Sequence, residues 1–159
     1  VTSAPLKKEG TASEPAMPRY QWDTRLRVTV AAGPNARPRL RPRLTVARWL
    51  GNVDIAGHIA DKLVDNAARH GKPFPDGCVL LRLTVLAATE ELRIEVDDAD
   101  CTFPGFDAIS SGSRPHGRSL WRVQQYGGSL SWDVKTDDGQ VVGKTVTVVM
   151  QAADRRTLA

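Results

Sequence analysis

The sequence predicts an α+β protein: a two-layer sandwich in which helices cover one face of a mostly antiparallel sheet. Three observations carry that prediction. The stretch from about Asp54 to His70 reads as one long amphipathic helix, stopped by Gly71 and Pro73. Apolar, alternating or β-branched runs at Cys78 to Leu86, Glu91 to Asp97 and Val141 to Gln151 read as strands. The order is strand, two helices, hairpin, irregular segment, short helix and two strands, which is the order of an α+β sandwich.

Taken along the chain, Leu26, Val28 and Val30 alternate with Arg25, Arg27 and Thr29, which predicts a half-buried strand from Trp22 to Ala31. Gly33-Pro34-Asn35 is a turn, with Asn35 as a candidate cap. Leu40, Leu44, Ala47 and Leu50 have helical spacing, but Pro42 should delay the helix, so its firm part is expected over 43–50, closed by Gly51-Asn52. The two middle strands should form a hairpin through Ala87-Ala88-Thr89-Glu90. From Asp98 to Gly117 no period is visible, and an irregular segment of that length inside a domain is usually functional or disordered. Arg118 to Tyr126 reads as a helix, Ser129 to Lys135 as a strand, and Asp137-Asp138-Gly139 as a turn into the last strand.

At 159 residues the chain is expected to form one domain over 21–153, flanked by a tail at 1–20 and another at 154–159. The first tail is rich in Pro, Ala, Ser, Thr and Lys and has no apolar block, so it reads as disordered rather than as a signal or membrane anchor. Hydrophobic residues make up 41% and charged residues 25%, a globular composition that excludes a membrane-spanning helix bundle. Cys78 and Cys101 have no metal-ligand spacing and, being only two, suggest a reducing, cytoplasmic setting, with a single bridge between them as the alternative. His58, His70 and His116 are too scattered for a zinc site. The net charge is +4, and Arg37, Arg39, Arg41, Arg43 and Arg48 crowd a stretch with no acid. No aromatic residues interleave with them, which argues against nucleic acid and for a solvated face or an acidic protein partner.

The long helix carries the chemistry. Ile55, Ile59, Leu63 and Ala67 make an apolar stripe, and Lys62, Asn66 and Arg69 form a second stripe beside it. Such a helix packs on a sheet while holding an amide oxygen and two cations toward a metal-bound polyphosphate. Three further segments fit the same ligand: Glu95-Val96-Asp97-Asp98 at a strand end, Gly117-Arg118-Ser119-Leu120 at a helix start, and Gly143-Lys144-Thr145-Val146 in the last strand. The last is not a Walker loop, because no glycine stands five residues before Gly143 and no helix follows.

With these four motifs, from about residue 24 to 151, the chain resembles the histidine-kinase-like ATPase superfamily. Within it, the chain is similar to small bacterial anti-sigma-factor serine kinases and their single-domain ATP-binding relatives. The resemblance implies ATP and Mg2+ as cofactors. It assigns Asn66 to the magnesium, a hard cation that takes oxygen ligands, and Arg69 to the neighbourhood of the phosphates. Asp98 would accept a hydrogen bond from the adenine amino group, with the Thr145 hydroxyl beside it. Gly117, Arg118, Ser119 and Leu120 would present backbone N–H groups to phosphates, and Arg114 or Arg118 would reach them from the preceding lid.

The chain departs from that family at defined places. Ser119 stands where the second glycine of the Gly-x-Gly-Leu motif is found, and Ala99 and Cys101 replace a glycine-containing continuation after Asp98. Lys62 occupies the position of the glutamate general base, and at neutral pH a lysine beside phosphates stays protonated. Asp61 and Asp65 are displaced substitutes, each about 100° around the helix. The expectation is a cytoplasmic ATP-binding regulator that binds a protein partner, a sigma factor or its antagonist, with catalysis weak or lost. Related kinases often pair as homodimers. The alternatives are an active ATP-dependent protein serine kinase and a degenerate fold that binds partners without nucleotide.

Overall fold

Side-chain alternation along the central strands decides where the core lies. The computed structural model describes residues 17–110 and 118–152. It contains β1 (Pro18–Arg27), α1 (Ala32–Val46), α2 (Val53–His70), β2 (Cys78–Leu86), β3 (Leu92–Asp98), α3 (Phe106–Ser110), α4 (Arg118–Gln125), β4 (Ser129–Asp137) and β5 (Gln140–Met150). All neighbouring strands run antiparallel, in the order β1-β2-β3-β5-β4. Leu81, Leu83 and Val85 of β2, Ile94 and Val96 of β3, and Val146 and Val148 of β5 point to one face and are buried. There they meet Ile59, Leu63, Val64 and Ala67 of α2, Leu40 and Leu44 of α1, and Leu120 and Val123 of α4 in a single cluster. The predicted sandwich is the one observed, with helices on one side. Among the described residues no helix is long and apolar enough to cross a membrane.

Four differences from the sequence reading have a direct physical reason. β1 begins at Pro18, inside the stretch expected to be tail, because Tyr20 and Trp22 pair with Val85 and Leu83. It ends at Arg27, opposite the first residue of β2; Val28 and Val30 continue the alternation, but no strand remains to pair with them. The helix expected over 43–50 begins at Ala32. Pro38 and Pro42 lie inside it, a turn apart and both exposed, so the carbonyls they leave unbonded face water rather than the core. Asn52 does not close that helix but caps α2, its Oδ1 accepting from the Ile55 N–H at 3.0 Å.

The arginine cluster is largely consumed in holding α1 down. Arg37 pairs with Asp61 of α2 at 2.7 Å, and Arg41 pairs with Asp54. Arg39 donates to Thr24 and to the Arg25 carbonyl, and Arg43 lies over the Trp22 ring. The β4–β5 hairpin turns through Asp138 and Gly139 with φ values of 49° and 75°, the two positive angles of a two-residue hairpin loop.

Candidate functional site

β3 ends in two consecutive aspartates, and consecutive strand residues face opposite ways. Asp98 points to the helix side and Asp97 to the open side of the sheet. Their surroundings differ accordingly.

Asp98 is completely buried where the C-terminus of α2 meets the β3–β5 pair. Two glycines make that approach possible. A Cβ at Gly71 would stand 2.6 Å from the Asp98 Cγ and 2.7 Å from its Oδ2, and a Cβ at Gly143 would run into the Asp98 carbonyl oxygen. Across the ladder Asp98 faces Lys144, whose Nζ donates to Oδ1 at 3.1 Å and to the Asp100 carbonyl at 3.3 Å. The Asp100 N–H donates to the same Oδ1 at 2.8 Å, whereas Oδ2 is buried with no hydrogen-bond partner. Burial pushes the Asp98 carboxyl above its usual pKa, against the pull of the Asp100 N–H and the Lys144 ammonium.

Asp97 has richer company. Arg82 donates to both its oxygens at 3.2 Å, Lys135 to Oδ2 at 2.6 Å and the Thr145 hydroxyl to Oδ1 at 2.6 Å. Burial raises its pKa, but the Lys135 and Thr145 bonds and the Arg82 charge outweigh it and hold the carboxyl below the usual range. Thr145 therefore serves Asp97 on the open face. It is not beside Asp98 as the resemblance implies, because the strand period of two puts neighbours of Lys144 on the other side.

Above Asp98, the helix side opens into a cavity of about 220 Å³, lined by Asn66, His70, Thr102, Phe103, Pro104, Ile109 and Lys144. Asn66 and His70 are one turn apart on the same face of α2. At 1.5 Å per residue, Asn66 lies roughly 7 Å up the helix from Gly71. The far wall comes from the segment after β3, where Phe103 packs edge-on against Phe106 and tilts against Trp132. Asp98 itself does not line the cavity; Lys144, bonded to it, does. The volume is below the roughly 300–1,000 Å³ of most small-molecule sites, so it suits a ring and not a whole nucleotide.

The other expected site residues separate into groups. Arg69 is turned to Asp65 at 2.8 Å and largely exposed. Asp61 is buried against α1, bonded to Arg37, and a Cβ on Gly33 would strike its Oδ1. Neither acid is poised as a substitute base, since each already holds an arginine. Lys62 is half-buried on α2 and does not line the cavity. The Leu120 side chain is a core residue, 1% exposed, so only its backbone remains for a ligand. Arg114 and Gly117 lie outside the described residues, as do the side chains of Arg118 and Ser119. The reading from sequence missed Lys144, His70, Phe103 and Ile109. Pairing the last strand antiparallel to β3 would have set Lys144 opposite Asp98 and exposed the first of these.

Among the described residues no group of three or more His, Cys, Asp and Glu could hold a metal. Asn66, on the cavity wall, could offer one carboxamide oxygen. That fits magnesium, which is commonly held by one or two protein oxygens plus phosphates and water.

No protein-family model matches the chain, and no curated protein matches it. Solved structures do. The histidine kinase domain from the Erythrobacter litoralis EL346 blue-light activated histidine kinase is 23% identical, with a TM-score of 0.46. That match covers 67% of this chain and 47% of the other, so this chain spans about half of that one's length. The mycobacterial sensor histidine kinase MprB is 17% identical with a TM-score of 0.50, over 83% of this chain and 97% of that one. At such identity the likeness is one of architecture. The five-stranded antiparallel sheet with helices on one side is the histidine-kinase-like ATPase fold.

Proposed function

We propose that this chain is a nucleotide-binding regulatory module that holds a magnesium–purine nucleoside triphosphate, ATP being the ligand the family resemblance implies, and couples it to a protein partner with little or no phosphoryl transfer. One observation carries the reading: Asn66 and Lys144, the latter paired to the buried Asp98, line one cavity between the end of α2 and the end of β3. In this reading the base enters the cavity, the ribose and phosphates leave it along α2, and Asn66 supplies an oxygen to Mg2+. The ion would neutralise phosphate charge; the chain's own residues bind and orient.

Weak catalysis follows from the helix face. Lys62, and not a carboxylate, stands at the position that the family resemblance gives the general base. Asp61 and Asp65 are committed to Arg37 and Arg69. Positioning and charge stabilisation still allow slow turnover without a base. An active serine kinase is therefore the second reading. A cytoplasmic location, a sigma factor or its antagonist as the partner, and pairing as a homodimer belong to the proposal through resemblance alone.

Calorimetric titration with magnesium complexes of ATP, GTP and ITP tests it. Binding that depends on magnesium and is lost in Asn66→Ala is expected. No heat with any of the three, together with no thermal shift, would leave a degenerate fold that binds partners only.

A further inference from the structure

The most buried polar side chain on the cavity wall is Lys144, 3% exposed. An ammonium carries three N–H donors. Two are directed at Asp98 Oδ1 and the Asp100 carbonyl. Among the described residues the third meets no acceptor, and the side chain borders the cavity. Asp98, the acceptor the family resemblance assigns to adenine, is out of reach: Oδ1 is shared by Lys144 and the Asp100 N–H, and Oδ2 is sealed against Gly71.

We propose that this cavity reads a 6-oxopurine, the base of inosine and guanosine nucleotides, and that Lys144 selects it over adenine. The inference rests on the nucleotide reading above and specifies its base. An amino group at the six-position would bring a donor against a donor, and neither Asp98 oxygen serves it: Oδ1 is taken, and Oδ2, though unpaired, is buried away from the cavity. A carbonyl oxygen at the same position accepts the third N–H of Lys144, the same pairing by which lysine reads the O6 edge of guanine in nucleic acids. Sites that hydrogen-bond a ligand group discriminate strongly against its absence, because buried polar atoms are left unpaired. The remaining walls suit a planar ring: Phe103 and His70 are aromatic, and Ile109 and Pro104 are apolar. Phe103 is also the ring over which the Lys144 Nζ lies, at 5.7 Å, so the stacking surface and the selecting donor are one unit.

The experiment is calorimetric titration of the whole chain with magnesium complexes of ITP, GTP and ATP. ITP and ATP differ only in the edge that carries the six-position group. ITP is expected to bind at least tenfold more tightly than ATP, with GTP following ITP if the cavity admits the additional 2-amino group. Lys144→Met is expected to erase the ITP preference. Asn66→Ala should weaken ITP and ATP alike and leave their ratio unchanged. ATP binding as tightly as ITP in the wild type would overturn the role of Lys144 while leaving the nucleotide reading intact. Failure of all three nucleotides to bind would overturn both. Should Lys144→Met fail to fold, the wild-type ratio alone decides.

Discussion

Replacing Lys144 with methionine keeps a stem of similar length and removes the charge, leaving Asp98 buried with no cation. Breaking one side of a buried pair typically costs about 3–5 kcal/mol. Here an upper bound follows from chemistry, because the carboxyl can escape by taking up a proton. From an unfolded pKa of about 3.9, holding a proton at pH 7 costs about 4 kcal/mol, and at pH 5 about 1.5 kcal/mol. Burial already raises the Asp98 pKa in the wild type, and losing Lys144 raises it further. A raised carboxyl stabilises the fold below its unfolded pKa, and that contribution disappears as pH rises through the folded value. The deficit of Lys144→Met relative to wild type should therefore shrink on acidification, by up to about 1.4 kcal/mol per pH unit between 7 and 5. Urea unfolding at several pH values measures it. A deficit that stays constant across that range would mean that Asp98 is hydrated, and the account of a sealed carboxylate would be wrong.

Asp97 has the opposite sign: its folded pKa is lowered, so its stabilisation is present above the unfolded pKa and lost as pH falls through the folded value. Asp97→Asn should cost about 3 kcal/mol at pH 7 and flatten the acid limb of unfolding below about pH 4; an unchanged acid limb in the variant contradicts this. Two glycines should respond in opposite directions. Gly71→Ala forces a methyl against Asp98 and should cost about 1–3 kcal/mol. Gly57→Ala, inside α2 with its nearest neighbour at 3.9 Å, should stabilise by about 0.5–1 kcal/mol, and denaturant midpoints that move together would refute the close-approach argument. Lys62→Glu puts a carboxylate where the family resemblance places the general base and should raise nucleotide hydrolysis roughly tenfold or more; an unchanged rate of phosphate release would show that the base is not what limits turnover.

The layering, the long helix and the central hairpin were legible in the sequence because each has a strong period. Ile55, Ile59, Leu63 and Ala67 have one role in the folded chain, burial, and their spacing declares it. The α1 helix was hidden because Pro38 and Pro42 obey tertiary context: on a solvent-facing side they are tolerated. Asn66 was legible as a polar residue beside an apolar stripe. Lys144 was not, since its meaning depends on which residue lies across the ladder, and register is a property of two strands at once. For the same reason Thr145, adjacent in sequence, was assigned to the wrong aspartate.

The neighbouring carboxylates of β3 also constrain how the gene can change. One added or deleted codon upstream within that strand would exchange their surroundings, sending the acid that sits among Arg82 and Lys135 into the cramped niche beneath α2. Substitutions there are graded in their effect, but a frame-preserving change of length is not: it inverts an entire strand. Variation in length is therefore expected in the turn through Ala88 and Thr89, and β3 itself should keep its residue count wherever this site is retained.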